Sequence, residues 1–261
     1  MGCSQRTLDE TAAQKGIAFY VLDRPNPISG AVVQGPLMDR ELKSFTGYFP
    51  LPVRHGMTMG ELAQLFNAEN RIEAKLRVIK MRNYQRGEWF DATGLRWIPP
   101  SPNLRTLTEA ALYAGVALIE GANVSVGRGT ETPFEVFGAP WIDGSRLANY
   151  LNERQIKGVT FAAVDFKPTE SLYQNRLCHG IKISLTDRDA LDTPALGIEI
   201  ASALYQLYPG TFEIDKTIGM IGARWVVEAI KNGEDPASIV HLWQSQLESF
   251  LKMRGQYLLY Q

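Results

Sequence analysis

Apolar positions near the start of the chain are first spaced and then contiguous: Leu8, Ala12 and Ala13 stand among polar residues, and Ile17-Ala18-Phe19-Tyr20-Val21-Leu22 follows Gly16. This change predicts a short amphipathic helix that turns at glycine into a buried strand. Asp23-Arg24-Pro25-Asn26-Pro27 comes next, and its two prolines oppose continuation of a central strand, so Asp23 and Arg24 fall in a constrained turn. There they either contact a ligand or stabilise the turn as an ion pair. Thr58-Met59-Gly60-Glu61, ahead of Leu62, Leu65 and Phe66, has the offset of a capping box, and Thr106-Leu107-Thr108-Glu109 repeats it before Leu112 and Tyr113. Between them, residues 76–81 read as a strand with interrupted alternation. Val116-Ala117-Leu118-Ile119 reads as a buried strand ending at Glu120 and Gly121.

Further along, Leu147 and Leu151 mark a short helix, residues 159–166 and 181–185 read as strands, and residues 198–207 carry helical spacing. In the last long element Asp235 is the cap and Pro236 the first helical position. Ile239, Val240, Trp243, Leu247, Phe250 and Leu251 form one broad apolar face, which favours Trp243 as a core residue over a platform for substrate. Strands alternating with helices indicate an α/β fold rather than a helix bundle. A change near Gly138-Ala139-Pro140 divides the chain into residues 1–138 and 139–261.

Composition narrows the chemistry. Of 261 residues 45% are apolar and 21% charged, enough for a sizeable core, and 27 basic against 28 acidic groups leave a net charge of −1. A strongly cationic nucleic-acid surface is not indicated. No apolar run has the length of a membrane helix, and the first residues lack the apolar core of a secretion signal. Cys3 and Cys178 do not define a disulfide scaffold. His55, His179 and His241 lie far apart, and Cys178 beside His179 lacks metal-ligand spacing, so no metal is called for. Gly127-Arg128-Gly129-Thr130 lacks the lysine of a phosphate loop and the dinucleotide fingerprint, so no nucleotide cofactor is called for; the segment is either a turn that needs its glycines or an anion site at Arg128 and the backbone amides.

Glu120 offers the sharpest chemistry. A glycosidic oxygen leaves poorly until protonated, and a carboxylic acid in a partly apolar cleft can protonate it as the bond breaks. The same side chain could instead pin Arg128. Trp89, Phe90, Trp97 and the prolines that follow could present ring faces to a sugar, with Ser101 or Asn103 orienting its hydroxyls, or pack as a rigid loop. His55 either positions a ligand or satisfies a turn.

Several segments, in order, resemble the DUF1343, or YbbC/NamZ-like, family associated with exo-β-N-acetylmuramidases. They are Val21-Leu22-Asp23-Arg24-Pro25-Asn26-Pro27, Arg54-His55-Gly56-Met57-Thr58-Met59-Gly60-Glu61-Leu62-Ala63, Pro100-Ser101-Pro102-Asn103, Glu120-Gly121-Ala122-Asn123, Ser125-Val126-Gly127-Arg128-Gly129-Thr130 and Arg254-Gly255-Gln256-Tyr257-Leu258-Leu259-Tyr260. The resemblance implies a partial Rossmann-like sheet region with a second, smaller α/β domain, and an exo-acting glycoside hydrolase that releases terminal N-acetylmuramic acid from peptidoglycan fragments or muropeptides. It assigns Glu120 to catalysis and Asn123 and Arg128 to the polar lining, with Asp23, Arg24, His55, Ser101 and Asn103 in support, and it places the protein in the periplasm or outside the cell. By the resemblance, relatives carry an upstream portion of the Rossmann-like region with a Glu-His-Gly motif that Arg54-His55-Gly56 does not replace, whereas this sequence begins near a later helix. On that basis the N-terminal part of the catalytic region is expected to be missing. The corresponding alternatives are a non-catalytic muropeptide-binding protein and an inactive truncated homologue, with self-association through an uncovered sheet edge.

Overall fold

The computed structural model describes residues 10–44 and 47–261, so Cys3 and Leu8 lie outside the described residues. The fold is mixed α/β and forms two compact units. One comprises the chain up to Val33, Leu37–Arg96 and Gln244–Gln261; the other comprises Gln34–Pro36 and Trp97–Trp243.

In the first unit the opening helix, residues 10–15, ends at Gly16, whose positive φ turns the chain into strand β1, Ala18–Leu22. β1 pairs in parallel with β2, Lys75–Ile79, placing Val21 beside Val78. Helix α1, Met59–Glu69, covers one face of this pair so closely that a Cβ on Gly60 would lie 2.5 Å from Val78 Cγ1. A strand buried on both faces was expected at β1, and this is corrected: Val21 is buried, but Leu22 is 71% exposed. Side chains of a strand alternate between faces, and α1 covers only the face that carries Val21.

Met57, Leu62, Leu65 and Phe66 bury the apolar side of α1 against Phe250 of the C-terminal helix, Gln244–Arg254. A fully connected polar network lies beside this core. Thr58 and Glu61 form the expected capping box. Glu61, wholly buried, also accepts bonds from Arg86 and from the backbone N–H of Leu259. Arg86 further donates to the carbonyls of Gly30 and Gly56, to which Arg254 donates as well. The terminal Arg254–Tyr260 segment is thus tied to α1 by charge-assisted bonds.

In the second unit helix α2, Leu107–Val116, begins at a second capping box, Thr106 with Glu109, and runs directly into a 3-10 turn at Ala117–Ile119. The strand expected at Val116-Ala117-Leu118-Ile119 is therefore helical. A short run of apolar residues fits a buried strand and a fully buried helix end equally well, and all four are buried here. Strand β3, Val136–Ala139, helix α3, Gly144–Glu153, strands β4, Val159–Phe166, and β5, Cys178–Leu185, and helix α4, Thr193–Leu207, follow. The strands make an antiparallel sheet in the order β3-β5-β4, and α3 packs on it. α2 crosses α4 where Gly115 and Gly197 meet: a Cβ on Gly197 would lie 2.5 Å from the Gly115 carbonyl oxygen. This close crossing fixes the end of α2, and Glu120 with it.

The last long element begins at Asp235 and Pro236 as expected, but two helices replace one. Pro236–Leu242 and Gln244–Arg254 are separated at Trp243, which is fully buried. No helix among the described residues is long and apolar enough to cross a membrane.

Candidate active site

Glu120 closes the 3-10 turn after α2, its N–H donating to the Ala117 carbonyl at 3.1 Å. Its carboxylate meets the guanidinium of Arg128 as a two-pronged fork, Nε on Oε1 and Nη2 on Oε2, the latter at 3.1 Å. The Glu120 side chain is 23% exposed and that of Arg128 26%, so the pair is neither solvated freely nor sealed away. Arg128 also stands 5.1 Å from the ring centroid of Phe134, which packs edge-on against Tyr113 at 4.9 Å. The Glu120 bond raises the pKa of Arg128. Burial, followed by the nearby Glu120 charge, raises that of Tyr113. The result is a carboxylate with an apolar flank and a fixed cation, a setting suited to charge and proton chemistry at a polar bond.

Arg128 is held by a tight turn. Gly127 and Gly129 both have positive φ, and Thr130 Oγ1 donates to the Gly127 carbonyl at 2.6 Å. Gly129 is needed for a second reason: a Cβ there would come within 2.5 Å of the backbone nitrogen of Glu170.

Glu170 belongs to the connection between β4 and β5, residues 167–177, which the sequence pattern does not single out. Thr169 donates to the Gly129 carbonyl from both its N–H, at 3.0 Å, and its hydroxyl, at 2.8 Å. Asn103 Nδ2 donates to Glu170 Oε1 at 3.3 Å, and the Tyr173 hydroxyl donates to the Asn123 carbonyl at 3.0 Å. One connection therefore touches three of the segments that carry candidate residues. Ser171, Tyr173 and Asn175 all have positive φ, a cluster of strained backbone of the kind that persists at functional loops. The available signal was length: antiparallel neighbours can be joined by two residues, and this connection is far longer.

The remaining candidates are committed to local structure in varying degree. Asn123 uses its whole amide, Nδ2 donating to the Thr211 carbonyl at 2.9 Å and Oδ1 accepting the Glu213 N–H at 3.0 Å. The Ser101 hydroxyl accepts the Asn103 N–H at 3.4 Å. In the first unit, the Asp23 carboxylate accepts from the Thr58 hydroxyl, the Gly60 N–H, the Tyr260 hydroxyl and the Arg24 N–H, at 2.6 to 2.9 Å. Arg24 itself is exposed. His55 Nδ1 accepts the Met57 N–H at 3.1 Å, and burial with the neighbouring Arg254 charge lowers its pKa to about 4, leaving the ring neutral at neutral pH. Trp89 is buried with Arg54 5.3 Å from its ring centroid. Among the described residues no group of His, Cys, Asp and Glu is placed to hold a metal ion, and Cys178 is a buried free thiol.

Comparison with known proteins brings these observations together. The profile of the N-terminal region of the exo-β-N-acetylmuramidase NamZ matches residues 5–108, and that of its C-terminal region matches residues 111–260. The peptidoglycan β-N-acetylmuramidase NamZ of Bacillus subtilis (strain 168) is 42% identical over 254 residues, covering 96% of this chain. The chain spans 61% of the length of that relative. Crystal structures of two DUF1343 family proteins from Bacteroides fragilis superpose on the whole chain, covering 71% of theirs, with TM-scores of 0.90 and 0.82 at 27% and 31% identity. The expectation that the N-terminal part of the catalytic region is missing is overturned by the match to the N-terminal profile across residues 5–108.

Proposed function

The chain belongs to the exo-β-N-acetylmuramidase NamZ family, also called DUF1343, a family of glycoside hydrolases, and from that premise we propose that it removes a terminal N-acetylmuramic acid unit from peptidoglycan fragments. The observation that carries this reading is the Glu120–Arg128 fork, partly exposed and flanked by Phe134 and Tyr113. Glu120 delivers a proton to the glycosidic oxygen as the bond to the sugar carbon breaks, and water supplies the hydroxyl of the released sugar. Arg128 orients the carboxylate, and one of its N–H bonds must yield before that oxygen can carry and deliver a proton. Thr169, Glu170 and Asn103 hold the turn that holds Arg128. The parallel pair β1 and β2 with α1 is the Rossmann-like part of this reading, and the β3-β5-β4 sheet with α3 the smaller α/β part. Incubation with peptidoglycan-derived muropeptides and mass spectrometry of the products tests it: free N-acetylmuramic acid is expected, and unchanged muropeptides would refute the activity.

The two-pronged hold on Glu120 favours a second reading, a muropeptide-binding protein without turnover, which saturable binding with no product would support. Either role places the protein where peptidoglycan is, in the periplasm or outside the cell, and cell fractionation checks that placement. β1 and β2 form a two-stranded sheet whose outer edges are suited to pairing with a second copy, and Tyr20, Leu22 and Ile79, 53%, 71% and 49% exposed, add an apolar face beside them. Sedimentation at increasing concentration should then show a dimer that Leu22→Lys disperses.

A further inference from the structure

Three half-buried rings of the second unit adjoin one another beside the Glu120 turn. Trp141 Nε1 donates to the Tyr173 hydroxyl at 3.3 Å, and Trp141 meets Tyr208 edge-on with ring centroids 5.3 Å apart. An exposed arginine stands at each end: the Arg176 guanidinium 5.3 Å from the Tyr173 centroid, and that of Arg146 6.0 Å from the Tyr208 centroid. Neither arginine takes part in the ion pairs found among the described residues. Asp143, the nearest acid to Arg146 in sequence, is engaged as the cap of α3, accepting the Arg146 backbone N–H at 3.0 Å.

The rings are fixed rather than loose. The Tyr173 hydroxyl is bonded to the carbonyl of Asn123, three residues beyond Glu120, and Tyr173 lies in the strained connection anchored on Gly129. Tyr208 exchanges bonds with the backbone of Asp143, its hydroxyl accepting from the N–H and donating to the carbonyl, both at 3.0 Å. Preset aromatic faces cost little entropy to engage, and they suit the C–H faces of a sugar ring. Guanidinium groups without a carboxylate partner suit an anion, and the planar fork suits a carboxylate best.

We propose that Trp141, Tyr173 and Tyr208, with Arg146 and Arg176, form a binding surface for amino sugars that carry a carboxylate, extending from the turn that holds Glu120. The surface deepens the glycosidase reading and rests on it only for how the bound glycan is used, because binding and turnover are measured apart.

The test is titration calorimetry with N-acetylmuramic acid and with N-acetylglucosamine, its neutral counterpart without the lactyl ether that carries the carboxylate, on the whole chain and on an Arg146→Gln/Arg176→Gln variant. The whole chain should bind the acidic sugar at least tenfold more tightly. The double variant should lose at least tenfold for the acidic sugar and bind the neutral one unchanged. Trp141→Leu should weaken both sugars while the unfolding transition stays cooperative; should that variant not fold, the arginine variant, altered only at exposed positions, decides alone. Equal affinity for the two sugars, an unchanged double variant, or no saturable binding would each overturn the proposal. The expected binding pattern without hydrolysis of a muramic acid glycoside refutes the glycosidase reading and leaves the surface standing. Hydrolysis with Kd and KM unchanged in the double variant refutes the surface and leaves the reading.

Discussion

At the scale of single residues, the chain commits most of its candidate polar groups to bonds that hold backbone in place, and leaves few to act. Asp23 and Asn123 are saturated by neighbours, whereas Glu120 and Arg128 are saturated chiefly by each other and remain partly exposed. This distinction is invisible in a sequence, where each is simply a polar residue in a turn-rich segment. His55 shows what burial does to one of them. Its pKa falls from 6.5 to about 4 on folding, so between those values the unfolded chain takes up a proton that the folded chain refuses. Its contribution is therefore complete above pH 6.5, is lost progressively as pH falls to 4, and does not change below that. Urea titrations at pH 7 and pH 4 should differ by on the order of 2 kcal/mol more in the parent than in a His55→Asn variant, allowing for the partial exposure of the ring. Equal differences would contradict the assignment. A larger effect is expected at Arg86: Arg86→Met strands the buried Glu61 carboxylate and should cost about 3 to 5 kcal/mol in the same assay, and a loss below about 1 kcal/mol would show that the pair is solvated.

At the scale of elements, the capping boxes, the strands over residues 159–166 and 181–185 and a helix over residues 198–207 were legible, because each is written in local spacing; the start of that helix at Thr193, capped by Asp192, was not. Two failures have definite causes. Val116-Ala117-Leu118-Ile119 carries no period because every position is buried, and the choice of helix is made by the Thr106 cap ten residues earlier and by packing on α4. The long final helix divides at Trp243, a break that no proline or glycine announces. The α2–α4 crossing depends on two glycines that no pattern singles out, since the close approach exists only once both helices are in place. Gly197→Leu must force α4 off the Gly115 carbonyl, and we expect thermal unfolding to register about 1 to 3 kcal/mol of destabilisation. Because α2 sets the position of Glu120, turnover should fall along with stability. A variant that loses stability but keeps full turnover in its folded fraction would separate the crossing from the site.

At the scale of the whole molecule, the candidate site is assembled from Asn103, Glu120 to Asn123, Gly127 to Thr130 and the 167–177 connection, which are brought together by folding and not by sequence proximity. The ordered motifs mark some of these segments, and the β4–β5 connection that binds them to one another carries no recognisable signature of its own. The terminal Arg254–Tyr260 segment is similar in kind: its motif is legible, and its reason, a network with Glu61, Arg86 and Asp23, is visible only in three dimensions. What gives the molecule its proposed activity is one carboxyl group on a rigid turn. The direct measurement is hydrolysis of a chromogenic N-acetylmuramic acid glycoside at saturating substrate by the parent and by Glu120→Gln, which keeps the size of the side chain and removes its acidity. The account requires turnover by the parent and a loss of about 10²- to 10⁴-fold in kcat for the variant, with cooperative unfolding retained. Equal turnover by the two proteins would contradict it.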